Sequence, residues 1–158
     1  MNIFEQPGIN RAWKSKNGGF IHSLSEIWQK NPLDPVLDFY YALPHPALTQ
    51  LGCQLHQFIL SYPQTRSCIR YGIPFYDRKK WVCYLNPIKD KGFEWVFLKG
   101  NQMADPDQLL SANGRKMVKG MLLTVGEKLP LVQMDQLLQE AFYCDDLAPG
   151  PKAKKRKI

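Results

Sequence analysis

The stretch Ile69-Arg70-Tyr71-Gly72-Ile73-Pro74-Phe75-Tyr76 is followed, after a charged Asp77-Arg78-Lys79-Lys80 break, by Trp81-Val82-Cys83-Tyr84-Leu85. No other segment constrains the fold as much. Two apolar and aromatic runs around a polar quartet predict strand, kink, turn and strand. Gly72 permits a sharp bend, and Pro74 has no N–H to donate to a ladder. Any pairing at Pro74 must therefore occur at an edge, a bulge or a strand end.

The flanking segments predict helices. Asp34-Pro35 combines an N-cap with a first-turn proline and starts a short helix whose apolar side is Val36, Leu37, Phe39, Tyr40 and Leu43. From Pro46, the residues Leu48, Leu51, Leu55, Phe58 and Ile59 repeat at helical spacing until Ser61-Tyr62-Pro63 stops them. Asp105-Pro106 repeats the cap-then-proline device and predicts a short helix through Leu110, closed by Asn113-Gly114. Met134, Leu137, Leu138, Ala141 and Phe142 mark an amphipathic helix over Leu131–Tyr143.

Strands are expected over 68–73, 75–76, 81–86, 93–99 and 116–125. In the third, Trp81, Cys83 and Leu85 are expected on one face and Val82 and Tyr84 on the other. Both sets are apolar, which predicts a mid-sheet strand covered on both sides. The expected class is α+β: a mainly antiparallel sheet of about four to five strands packed against helices in a single domain. Residues 1–32 are expected to form a partly ordered arm, 33–146 the domain, and 147–158 a disordered basic tail.

Charge is concentrated in that tail. The chain has 158 residues with 21 Lys and Arg against 14 Asp and Glu, a formal net of +7. Removing Lys152, Lys154, Lys155, Arg156 and Lys157 leaves 16 basic groups against the same 14 acids, so the body is nearly neutral. The tail is a candidate for weak, non-specific contact with nucleic-acid phosphates. No apolar run reaches the ~18 residues of a membrane span. The first residues lack a basic-then-apolar leader, so a soluble, cytoplasmic protein without membrane contact is expected. Cys53, Cys68, Cys83 and Cys144 lack Cys-x-x-Cys spacing and sit among apolar residues, where free thiols act as small hydrophobes.

No catalytic motif, phosphate-cradling loop or dinucleotide fingerprint is present in the sequence. His22, His45 and His56 have no metal-ligand spacing, with His45 read as a helix-start residue. The remaining candidates are aromatic. A sheet-face pocket built from Tyr71, Phe75, Tyr84 and Trp95, with Arg70 or Lys119 as the cation, would hold a small anionic or planar ligand. Against it stands the reading that these rings form the core between sheet and helices.

From Leu33 to Phe142 the chain resembles the YdhG-like superfamily of bacterial domains of unknown function. The residues that carry the resemblance are the 69–76 segment, Trp81–Leu85, Gly92-Phe93-Glu94-Trp95-Val96-Phe97-Leu98-Lys99-Gly100, Gly114-Arg115-Lys116-Met117, Lys128-Leu129-Pro130 and the closing helix. The resemblance implies a compact sheet-and-helix domain that binds an unidentified small molecule or protein without catalysing a reaction. Some relatives are described as frataxin-like iron chaperones, which makes iron handling the alternative. No other cofactor is implied. Iron favours carboxylate and imidazole ligands, and the nearest acidic groupings are Asp105/Asp107 and Asp145-Asp146.

Overall fold

The structure is a computed structural model describing residues 34–149. The predicted N-terminal arm, His22 and the five tail cations fall outside these residues. Helices α1 (Pro35–Tyr41) and α2 (Pro46–Leu60) precede strands β1 (Arg66–Arg70), β2 (Ile73–Asp77), β3 (Trp81–Ile88) and β4 (Gly92–Phe97). A turn of 3-10 helix at Gly100–Gln102, strand β5 (Lys119–Thr124) and helix α3 (Leu131–Leu147) complete the order. The five strands form one antiparallel sheet in sequence order, giving the expected α+β arrangement with β3 in the centre.

Helix α1 begins as its sequence dictates: the Asp34 carboxylate accepts from the backbone N–H groups of Val36 (2.9 Å) and Leu37 (3.3 Å). Leu48, Leu51, Leu55 and Ile59 form the buried stripe of α2, and Met134, Leu137, Leu138, Ala141 and Phe142 that of α3. Both stripes, together with Val36, Leu37 and Tyr40 of α1, join one core with Tyr76, Val82, Cys83, Leu85, Phe93, Trp95, Phe97 and Leu123 of the sheet. Gly52 is buried because α2 crosses directly over the Tyr40 ring.

The predicted kink is a complete reversal. Tyr71 (φ 51°) and Gly72 (φ 75°) are the two central residues of a tight β1–β2 turn, both in the left-handed region as in type I′ hairpins. Pro74 pairs with Ile69, while the β2–β3 register starts only at Phe75↔Tyr84. The residue without an N–H thus lies just before the β3 ladder begins.

Two expectations about β3 are corrected. A register shift at Tyr76/Asp77 pairs Asp77 with Trp81 directly after Tyr76↔Cys83. The bulge moves Trp81 off the Cys83–Leu85 face, while Val82 enters the core at 5% exposure. Among the described residues, moreover, the helices pack on one side of the sheet only. The core joins all three helices to the face of Tyr76, Cys83, Leu85 and Trp95, whereas buried Phe75 and Val96 lie outside it, at register positions of the opposite face.

The predicted 105–110 helix is absent. Asp105 adopts φ 42°, and its carboxylate accepts from Leu109 N and Leu110 N (both 2.9 Å), closing a turn instead. The predicted 116–125 strand is shorter, beginning at Lys119. Helix α3 outruns its predicted end at Tyr143 because Asp145 is engaged by the β2–β3 turn. The Asp145 carboxylate accepts from Lys79 N (3.1 Å) and Lys80 N (3.4 Å), and Arg78 lies over the Phe142 ring.

Because a Cβ on residue 52 would overlap the Tyr40 ring, Gly52→Ala should lower unfolding free energy by about 1–3 kcal/mol in urea titrations. Unchanged stability would show that α1 and α2 separate without cost.

Candidate functional site

Strand alternation divides the aromatic set into two groups. Tyr76, Phe93, Trp95 and Phe97 face the helices and are fully buried. Tyr71, Phe75, Trp81 and Tyr84 gather on the other side around the β1–β2 hairpin. Phe75 and Tyr84, opposite each other in the ladder, stack with centroids 4.9 Å apart at 24°. Trp81 meets Phe75 edge-on at 5.5 Å, and Tyr71 approaches both Phe75 (5.9 Å) and Trp81 (6.4 Å). The Arg70 guanidinium lies 4.4 Å over the Trp81 ring. Among the described residues no carboxylate pairs with Arg70, in contrast to Arg66–Asp77 and Arg115–Glu94 on the same sheet.

Two properties separate this cluster from ordinary packing. Tyr71 is 83% exposed and Trp81 37% exposed. In addition, Tyr71 holds a left-handed conformation that costs an L-residue with a Cβ roughly 1–2 kcal/mol and that Asn or Gly adopts readily. The hairpin therefore carries strain to present a ring to solvent.

Of the six proposed ligand residues, Arg70, Tyr71, Phe75 and Tyr84 come together. Trp95 does not: it lies on the helix side with 0% exposure. Lys119 pairs with Phe97 on β5, at the opposite edge of the sheet from β1. Trp81 takes the place assigned to Trp95. Among the described residues the expected pocket is instead an open platform floored by buried Phe75. A groove of about 380 Å³ lies elsewhere, lined by Gln102, Met103, Ala104, Glu140, Tyr143, Cys144 and Leu147.

The inner face holds a polar chain that residue spacing did not reveal. Tyr40 OH and Tyr76 OH are 2.7 Å apart, Tyr76 OH is 3.0 Å from His56 Nδ1, and His56 Nε2 faces Asp34 Oδ2 at 3.5 Å. With His56 neutral and its Nε2–H toward Asp34, Nδ1 accepts from Tyr76 and Tyr76 accepts from Tyr40. Burial lowers the His56 pKa to about 4, opposed by Asp34. Burial also holds both tyrosines well above the usual phenol range, and it pushes the thiols of Cys53 and Cys83 up to about 11 and about 12. These groups are neutral near pH 7 and sealed in the core, so they brace the structure and offer no nucleophile. All four cysteines are free, with Cys68 half-buried beside the platform.

His45 pairs with Asp90 at 2.6 Å beyond its helix-start position. Among the described residues no three His, Cys, Asp or Glu side chains gather to hold a metal ion.

A histidine with a lowered folded pKa keeps its stabilising effect above the unfolded value of 6.5 and loses it as pH falls toward about 4. Stability should therefore drop across that window by roughly 3 kcal/mol more in the wild type than in His56→Gln. Parallel pH slopes in urea unfolding would remove His56 as the cause. Compared with family models, curated proteins and solved structures, the chain matches none of them.

Proposed function

We propose that this chain is a non-enzymatic binding module whose working surface is the open sheet face formed by Arg70, Tyr71, Phe75, Trp81 and Tyr84. Its ligand class is planar groups carrying negative charge. One observation carries this reading: a guanidinium with no carboxylate partner among the described residues lies over a partly exposed indole. Arginine in that position presents N–H donors to an anion while the neighbouring rings offer π-faces for stacking. The strained, exposed Tyr71 beside it adds weight, because a tyrosine placed for stability alone would sit elsewhere.

A YdhG-like affiliation is part of this proposal and is supported by the resemblance of the residues named above alone. Four free thiols fit a reducing, cytoplasmic setting. Among the described residues, no helix is long and apolar enough to cross a membrane. The iron-carrying alternative rests on the resemblance alone, and among the described residues no grouping of ligands favours it.

Adenosine monophosphate, planar and anionic, tests the platform. In amide-detected NMR it should shift the signals of residues 70–72, 75, 81 and 84. Trp81→Ala should weaken binding by about 5-fold or more, as ~1–3 kcal/mol for stacking implies, and Arg70→Ala by about 2–5-fold, as ~0.5–1 kcal/mol for an exposed cation–π contact implies. Shifts confined to the Tyr143–Leu147 groove would overturn the assignment.

A further inference from the structure

We propose that the free edge of β1 is a strand-addition site for an extended acidic peptide. The edge lies beside the platform and shares only Arg70 with it. In the two-residue hairpin at Tyr71-Gly72, Arg70 and Ile73 flank the turn and exchange both backbone bonds, and Cys68↔Phe75 and Arg66↔Asp77 follow the same pattern. The intervening residues Ser67 and Ile69 therefore aim their N–H and C=O groups away from β2. Strand β1 is the outermost of the sheet, and among the described residues no hydrogen bond engages those four groups. The opposite edge is blunted by the chain itself. There Gly120 of β5 exchanges both bonds with Ser111 (2.8 and 2.9 Å), and Thr124 O accepts from Glu127 N. Only the β1 edge is left as a bare template for another strand.

Charge selects the occupant. Arg66, Cys68 and Arg70 share one face of β1 by alternation, the face on which Cys68 lies opposite Phe75. Arg66 is held by Asp77 at 2.7 Å, whereas Arg70 has no carboxylate partner among the described residues. A second copy of this chain is the wrong strand for this edge. The antiparallel register that uses all four outward groups of each copy sets Arg66 of one against Arg70 of the other, twice over. Like charges directly opposite destabilise such a pairing. A strand with a carboxylate opposite Arg70 gains a charge pair instead. Main-chain bonds to Ser67 and Ile69 then supply affinity, and Arg70 supplies the preference for an acidic partner.

The test uses the full chain and three probes: an eight-residue peptide of alternating threonine and glutamate, its threonine–lysine counterpart, and adenosine monophosphate. At saturation the glutamate peptide should slow amide hydrogen exchange at Ser67 and Ile69 by at least about 10-fold, and the lysine peptide should not. Ser67→Pro removes one outward N–H and leaves the β1–β2 bonds in place. It should weaken the glutamate peptide by about 2–10-fold, as loss of one hydrogen bond implies. Ser67→Ala keeps that N–H and should bind as the wild type does. Arg70→Glu, at an exposed position, does not depend on how well Ser67→Pro folds, and it should turn the preference towards the lysine peptide.

Glutamate-peptide binding that leaves Ser67 and Ile69 unprotected and survives Ser67→Pro would overturn the inference by assigning the contact to charge elsewhere on the chain. Mononucleotide shifts on the platform without protection of the two edge amides would overturn it and leave the binding module standing. Protection of those amides without mononucleotide shifts would uphold the edge and remove the platform reading. Equal protection by the two peptides would sink the choice of an acidic partner. Edge amides protected in a peptide-free dimer would overturn the inference in favour of a second copy of this chain.

Discussion

The hydroxyl of Tyr76 holds the two halves of this protein in register. It sits in the core between Tyr40 of α1 and His56 of α2, and His56 leads on to the Asp34 cap. Buried polar groups are tolerated only when paired, so the three elements that supply them must adopt one relative position. An apolar contact allows sliding at little cost, but a hydrogen-bonded sequence of four groups does not. The next residue back along β2 is Phe75, which points to the opposite face and forms the floor of the aromatic platform. A single strand thus carries the core's most constrained polar group and the support of the proposed binding surface, on alternate residues.

This arrangement gives the platform rigidity that a loop site would lack. Phe75 and Tyr84 stack across a ladder pair, and Trp81 leans on Phe75 from the adjoining strand. The exposed rings rest on Phe75 below and meet each other edge-on. Only Tyr71 is supplied by a turn, and there both φ values are dictated by a two-residue hairpin with little freedom. Preformed rings lose less conformational entropy when a partner arrives than rings on flexible segments do.

Much of this was legible in the residues themselves. Asp34-Pro35 capped α1 as written, the apolar spacing placed α2 and α3, and apolar runs separated by turn signals placed β3 and β4 in an antiparallel sheet. The failures share one cause, namely dependence on partners distant in the chain. The bulge at Tyr76/Asp77 depends on how β2 and β3 pair, which hydrophobic pattern alone does not disclose. It sent Trp81 outward and Val82 inward, opposite to simple alternation. Trp95 lies apart from the other ligand candidates, a separation hidden in the sequence because a strand apolar on both faces does not reveal which face meets the helices. Asp105 looked like an N-cap because the Asp-Pro pair is ambiguous, and a left-handed aspartate can close a turn with the same oxygen atoms. His56 and Tyr76 are far apart in sequence, so no local signal joined them.

The bulge has a further consequence for how such a domain diversifies. Val82 and Cys83 are locked to the volume of the interior, where any change of size disturbs several neighbours at once. Trp81, displaced outward by one inserted residue, escapes that restriction while staying anchored to the most central strand. Selection can thus vary the chemistry displayed at this position from one lineage to the next without re-solving the fold beneath it.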